Sequence, residues 1–304
     1  MQPLILIPRN GIGNRFRAIS SALALSEFLK RELLVLWEPR NGCATRPSDL
    51  FSPDSTINFL SEQTALGRRV LQDGPPLYLR ISEEIITLRG HDRGEQMFIK
   101  DFVRHAQQNP ETTLVIAAGN FFHPKAASGQ ALPSLLRPYR RSLLDRLVFK
   151  DEILERAAVL RPPSKYIGLH LRGTDRKKEA PTPARLLTQC IRVANRFGIA
   201  SVFLCSDEVL LKTEAERRLA AEGLQVFTDG HPPSRGDIEG ELHALVDLVN
   251  LSQANFLVGS RESTFATEAS VRLQPTQVFL RGTRRFGIRP IDRILRHRLP
   301  NFFP

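Results

Sequence analysis

His170, Arg172, Asp175 and Arg176 fall within one seven-residue stretch, His-Leu-Arg-Gly-Thr-Asp-Arg, at the end of the apolar run Tyr166–Leu171. The run fits a buried strand, and the charged residues stand where such a strand would leave the core. If Ile167, Leu169 and Leu171 share one face, alternation places His170 and Arg172 together on the other. A planar guanidinium beside a histidine suits a phosphate, and ligands of open α/β sheets gather at the carboxyl ends of strands. An Arg172–Asp175 ion pair that closes the strand is the alternative reading of the same residues.

Four further segments carry side chains with chemistry. Asn10-Gly11-Ile12-Gly13-Asn14-Arg15 lies between an apolar run and a helical pattern, where backbone N–H groups attract anions; Asn14 and Arg15 add side-chain donors. It is not the dinucleotide fingerprint, because Phe16 stands where a third glycine would be required. Val202–Glu208 is a strand pattern ending in two acids, and Asp207 suits either a ribose or the cap of the helix that follows. Asp247 sits in an apolar helical pattern, where a carboxylate is costly without a partner; paired N–H donors on a guanine base or a structural arginine would each supply one. Ser263 and Thr264 open a helix after the run Asn255–Val258, and can hold phosphate oxygens, cap the helix, or both.

The elements that must position these residues alternate. Leu4–Ile7, a helix over Arg15–Lys30 and Leu33–Trp37 form a βαβ unit. From about residue 45 to 110 Pro, Gly and charge interrupt short apolar groups, and no order of elements can be read. Thr112–Ala118 reads as a strand, and Leu132–Leu160 as helical on both sides of Pro138. Arg161-Pro162-Pro163-Ser164 marks a boundary, dividing the chain into domains over 1–160 and 161–304. In the second domain Tyr166–Leu171, Ser201–Cys205, Leu224–Phe227, Asn255–Val258 and Gln277–Leu280 are strands. The helices between them are Pro183–Phe197, Glu208–Glu222, Ile238–Leu251 and a short one after Ser263. Such a pattern predicts an α/β chain with a doubly wound parallel sheet.

Composition narrows the class. The 304 residues are 41% hydrophobic and 25% charged, ordinary for a soluble globular protein. No apolar run approaches the roughly 20 residues needed to span a bilayer. Cys43, Cys190 and Cys205 have no metal-like spacing, so neither a zinc site nor a disulfide framework is expected, and a reducing cytoplasm is the expected location. The net charge of +11, from 43 Lys+Arg against 32 Asp+Glu, suits a phosphorylated substrate, nucleic acid or anionic lipid. The excess is spread along the chain, only three Tyr and one Trp are present to stack bases, and no nucleic-acid-binding motif occurs, so nucleic acid is not the expected partner. The most basic stretch, residues 284–298, reads as a solvated C-terminal helix, with peripheral contact to a membrane surface as its alternative use.

Four segments, in order, resemble the fucosyltransferase superfamily of α1,6-fucosyltransferases, nodulation fucosyltransferases and protein O-fucosyltransferases. Residues 10–15 are similar to its N-terminal glycine loop, and 170–176 to its His-x-Arg-x-Thr-Asp-Lys block. Residues 203–208 and 247–260, the latter followed by Ser263-Thr264, resemble its second and third blocks. The similarity covers about the first forty residues and most of 165–270. It implies a GT-B-like fold of two facing Rossmann-like domains with a crevice between them, 1–160 on the acceptor side and 161–304 binding the GDP-sugar, and metal-independent, inverting transfer of fucose from GDP-fucose. The acceptor would be a hydroxyl of a glycan, lipid-linked saccharide or small glycoside. No cofactor is implied beyond the donor itself. Carried across, His170 and Arg172 bind the pyrophosphate, Asp247 reads guanine, and Ser263 and Thr264 hold phosphate oxygens, with Asn14 and Asp207 as further donor contacts. Arg172 is also the expected catalytic cation, neutralising charge on the departing GDP.

The chain departs from these relatives at Gly173, where they have a second arginine, and at Arg176, where they have lysine. Their α1,6 members place a base glutamate five residues after the block's aspartate, where this chain has Ala180. Glu179, one residue short, and then Asp175 are the candidates for that base. A transferase for another GDP-sugar, or a non-catalytic basic nucleotide- or nucleic-acid-binding protein, are the alternatives.

Overall fold

The computed structural model describes residues 1–39, 42–72, 80–81, 85–89, 95–120, 122, 136–173, 182–230, 236–260, 263–271 and 278–282. The chain divides into two compact units, Met1–Lys150 with Gly236–Ile238, and Asp151–Arg235 with Glu239–Pro304. The helix Asp151–Leu160, which precedes the boundary read from sequence, belongs with the second unit.

The first unit is built on strands β1 (Leu4–Pro8), β2 (Leu33–Val35), β3 (Asn58–Phe59), β4 (Arg80–Ile81), β5 (Ile85–Arg89) and β6 (Thr113–Ala118). Their order is β3-β2-β1-β6-β5-β4, with every pairing parallel except the antiparallel β4 and β5 at the edge. All five residues of β1 are buried, and β2 and β6 flank it. That position accounts for its unbroken Leu-Ile-Leu-Ile run. Helix α1 (Ile12–Leu29) returns from β1 and ends at Lys30, which takes the left-handed conformation with φ 55°. The next residue, Arg31, is buried and donates to the backbone carbonyls of Gln2 at 3.1 Å, Ala106 at 2.9 Å, Asn109 at 3.0 Å and Thr112 at 2.6 Å. One side chain thereby binds the turn after α1 to the segment that enters β6.

The middle region resolves into small pieces: α2 (Pro47–Leu50), β3, α3 (Ala65–Gln72), β4, β5 and α4 (Glu95–Gln108). Strands of two residues leave no periodicity to read, so their order is not legible from residue spacing. The predicted helical stretch Leu132–Leu160 becomes two helices, α5 (Arg137–Arg146) and α6 (Asp151–Leu160); residues 132–135 lie outside the described residues. Pro138 occupies the first turn of α5, where its missing N–H costs nothing. The break between the helices is extended backbone: Phe149 pairs with Phe51 in an isolated antiparallel bridge, and their rings stack at 5.8 Å.

The second unit carries β7 (Tyr166–Leu171), β8 (Ser201–Ser206), β9 (Gln225–Phe227), β10 (Phe256–Ser260) and β11 (Val278–Gly282), all parallel, in the order β11-β10-β7-β8-β9. Helices α7 (Pro183–Phe197), α8 (Val209–Ala221), α9 (Ile238–Gln253) and α10 (Thr264–Ala269) connect them. Ile167, Leu169 and Leu171 do share one face, packed into a core with Leu186, Cys190 and Val193 of α7. On the other face Gly168 lets α9 and the turn after it approach: an added Cβ would lie 3.0 Å from Leu251 Cδ2 and 3.1 Å from Ala254 Cβ. No helix among the described residues is long and apolar enough to cross a membrane.

Candidate active site

The chain runs outward from β7 through β8 to β9, then crosses back to place β10 on the other side of β7. The order of the second sheet therefore reverses between β7 and β10. A crevice opens at such a reversal, outside the carboxyl ends of the strands. Gly259 of β10 stands opposite His170 of β7, so the residues that follow both strands meet there. His170 is buried on the face opposite Leu169 and Leu171, and its ring lies 5.5 Å from that of Phe265, in the first turn of α10. Arg172 follows at the strand end and is half-buried. The structure thus joins the 170–173 segment to the start of α10, as the sequence pattern required.

β8 joins the same edge through one of its two acids. Asp207 does not cap α8. Its Oδ1 accepts the backbone N–H of Gly173 at 2.7 Å, tying the end of β8 to the residue after Arg172. Glu208 is the residue before α8, its N–H donates to Ser206 Oγ at 3.2 Å, and its side chain makes no capping bond to the helix. A Cβ placed on Gly173 would lie 1.9 Å from Glu208 Oε2 and 2.8 Å from Glu208 Cβ. Only glycine fits. Any larger residue at 173 would have to displace Glu208.

The two hydroxyls after β10 separate in role. Ser263 is fully buried, and its Oγ accepts the N–H of Ala266 at 3.3 Å, so it is the cap of α10. Thr267 Oγ1 in turn donates to the Ser263 carbonyl. Thr264 is half-buried and stands at the first position of the helix. Of the glycine-loop residues, Asn14 is half-buried in the first turn of α1, in the first unit. Arg15 is not a surface anion donor: it has no exposed area, its Nε donates to the Asn10 carbonyl at 2.8 Å, and its guanidinium stacks over Trp37 at 4.7 Å. Its depth in the core is what assigns it to structure.

Asp247 lies on the face of α9 toward β8. The residue is half-buried overall, but its Oδ1 is sealed from solvent and has no hydrogen-bond partner. Burial pushes this carboxyl up to about 8; Lys212 draws it back down and Asp229 adds to the rise. Around it stands a charge cluster with no counterpart in the sequence reading. Asp229 is buried; its Oδ2 lies 2.5 Å from His243 Nδ1 and its Oδ1 lies 3.6 Å from an Arg156 nitrogen. His243 Nε2 is 3.2 Å from Arg156, whose guanidinium only donates, so Nε2 accepts and Nδ1–H donates to Asp229. The signal in the sequence was faint: His243 precedes Asp247 by four residues, one helical turn on the same face.

Asp175 and Glu179, the candidates for a base, and the basic stretch 284–298 lie outside the described residues. Among the described residues no group of three His, Cys, Asp or Glu side chains could hold a metal ion. Cys190 and Cys205 are buried free thiols, and burial pushes Cys190 up to about 12.

Two α/β units, each built on a mainly parallel sheet and the second doubly wound, define the class as GT-B-like. The fold is that of the fucosyltransferases in the comparison with solved structures. FUT1 from Arabidopsis thaliana, in complex with GDP, superposes with a TM-score of 0.62 at 16% identity, over 89% of this chain and 68% of its own. POFUT1 in complex with GDP gives 0.59 at 13% identity, over 91% of this chain and 97% of its own. The NodZ α-1,6-fucosyltransferase co-crystallised with GDP gives 0.56 at 17% identity, over 93% and 95%. No family model and no curated protein sequence matches the chain.

Proposed function

We propose that this chain is a glycosyltransferase that moves fucose from GDP-fucose to a saccharide hydroxyl, with inversion and without a metal. The observation that carries the reading is Asp247: a carboxylate oxygen sealed from water, without a hydrogen-bond partner, near Cys205, which pairs with His170 across β7 and β8. A guanine base offers two adjacent N–H donors to such a carboxylate, and a pyrophosphate suits the bidentate fork of Arg172. The GDP and GDP-fucose held by structures of the same fold support the choice of donor.

In this reading the guanidinium of Arg172 takes up the negative charge that grows on the β-phosphate as the fucose–phosphate bond breaks. His170, fixed by Phe265, borders the pyrophosphate, Thr264 offers it a hydroxyl, and Asp207 holds the Gly173 backbone so that Arg172 points from a rigid turn. The acceptor proton passes to a carboxylate, with Glu179 the first candidate and Asp175 the second, drawn from sequence alone. The protein is read as cytoplasmic, with contact between the basic 284–298 stretch and an anionic membrane surface as the alternative use of that stretch.

Thermal stability measured with GDP, UDP, ADP and GDP-fucose, each with and without chelator, tests the donor. GDP and GDP-fucose alone should stabilise, by about 2.7 kcal/mol at a hundred times the dissociation constant. Equal stabilisation by UDP would remove the role of Asp247. Loss of the effect with chelator would give the phosphate to a metal. Labelled GDP-fucose against a saccharide panel then finds the acceptor.

A further inference from the structure

We infer that the buried pair His243–Asp229 fixes the rotation of α9 and thereby makes the donor site selective for guanine; both are positioning residues that act through Asp247. The inference rests on the reading of Asp247 given above. From Gly240 to Ser252 every residue of α9 is buried or half-buried, so the helix has no solvent face to set how it is turned about its axis. Apolar packing is non-directional, and the buried Leu245, Val246, Leu248, Val249 and Leu251 spread over more than half of the circumference. The remaining strip carries His243, Asp247 and Asn250, at i, i+4 and i+7. Directed polar bonds along that strip decide the rotation.

The two outer members of the strip are pinned. His243 Nδ1–H donates to Asp229 Oδ2 at 2.5 Å, and an Arg156 nitrogen of α6 lies 3.2 Å from His243 Nε2 and 3.6 Å from Asp229 Oδ1. The exposed Glu239, one turn earlier on α9, lies 4.0 Å from the same Nε2. Asp229 is held in turn by Lys212 of α8, which donates to its backbone carbonyl. Three helices thus grip the turn that follows β9, and through it α9 is fixed against the sheet. Further along, the Asn250 carbonyl accepts the Tyr166 hydroxyl of β7 at 2.7 Å, and Arg161 Nε lies 3.5 Å from Asn250 Oδ1. Asp247 stands between these pins, its Oδ1 sealed and without a hydrogen-bond partner among the described residues. The strip is held at both ends and leaves its middle carboxylate for a ligand. A slip of one residue would turn Asp247 by about 100°. A smaller turn is enough to spoil the angles of the two parallel N–H···O bonds that a guanine edge makes.

The experiment measures the affinity of the full chain for GDP, inosine diphosphate and UDP by calorimetry at one pH. Inosine diphosphate lacks the exocyclic amine of guanine, so its affinity set against that of GDP reads how well Asp247 meets both donors. In the wild type GDP should bind about tenfold more tightly, or better. His243→Leu keeps the bulk and removes the donor; GDP affinity should fall to within about threefold of inosine diphosphate, with the other two nucleotides much less affected. His243→Asn, which returns an N–H near the place of Nδ1–H, should recover the preference. Should the leucine variant not fold, Asp229→Asn, which keeps the size and one bond, reads the same ratio and should lower it by about threefold. A merely structural role would lower the melting temperature and weaken all three nucleotides by a common factor. A ratio that stays at its wild-type value in the His243 and Asp229 variants, while Asp247→Asn abolishes the preference, would overturn the inference and leave the reading of Asp247 standing. A wild type that does not prefer GDP to inosine diphosphate would end both.

Discussion

Replacing Asp247 with asparagine should make the protein more stable while removing its affinity for GDP. The wild-type carboxyl is raised from the ordinary value near 4 to about 8, with burial as the main cause. Between those limits the folded chain keeps a proton that the unfolded chain gives up, so stability falls as pH rises, by about 1.4 kcal/mol per pH unit. Asparagine carries no such proton. The stability gap between Asp247→Asn and wild type should therefore widen by about 2.7 kcal/mol from pH 5 to pH 7, and level off above pH 8. At roughly 2–4 °C per kcal/mol for a unit of this size, the melting temperature at pH 7 rises by several degrees. Trp37 is the sole tryptophan and lies in the first unit, so its fluorescence reports the wrong half. Hydrogen exchange of the α9 amides in the absence of ligand, followed across pH, reads the right one, with melts by circular dichroism beside it. A gap that does not change between pH 5 and 8, or an asparagine variant less stable at pH 7, would mean that Asp247 is ionised in the empty site and would refute the reasoning.

Arg172→Lys and Arg172→Ala should both lower turnover by roughly 100- to 1,000-fold with the fold intact, because an ammonium keeps the charge but not the fork; a lysine variant with near-normal kcat would reduce Arg172 to a point charge. Gly173→Ala drives a methyl into Glu208 and should cost about 1–3 kcal/mol and most of the donor affinity, with Glu208→Gly as a second change recovering both in a thermal-shift titration. Arg31→Ala leaves four backbone carbonyls without their donor and should destabilise the first unit by roughly 3–5 kcal/mol, which loss of the Trp37 signal in urea would report. Glu179→Gln, if that residue is the base, should leave GDP binding unchanged and lower turnover by roughly 100-fold or more, whereas the same loss in Asp175→Asn alone would move the role there.

The second unit was legible in the sequence because its strands are buried on both faces and its helices are long enough to show their period. Ile167, Leu169 and Leu171 declare a face by alternation, and the helix after them by its spacing. The middle of the first unit was not legible, since β3 and β4 are two residues each and are held by their neighbours rather than by any pattern of their own. Residues that meet the reversal of the second sheet, His170 and Arg172 above all, were found through their place at a strand end. The Asp207 bond to Gly173, and the cluster of Lys212, Asp229, His243 and Arg156, join residues far apart in the chain with no spacing to connect them. Ser263 was ambiguous for a different reason: a hydroxyl before a helix has the same sequence whether it caps, binds or does both, and the bond from Ala266 shows that it caps.

The place of β1 bears on how the chain is made. Its Leu-Ile-Leu-Ile strand leaves the ribosome before either neighbour; β2 follows within thirty residues, yet the neighbour on its other side, β6, begins only at Thr113. Arg31 waits as long, because three of its four carbonyl partners lie at Ala106, Asn109 and Thr112. At about 5–20 residues per second, a flat apolar edge stays uncovered for roughly 5–20 s of synthesis. Any nascent chain stalled in that interval presents a strand ready to pair with another copy of itself. The window closes when β6 docks, and a holdase that binds short aliphatic strands would be needed on this protein before residue 113 and not after.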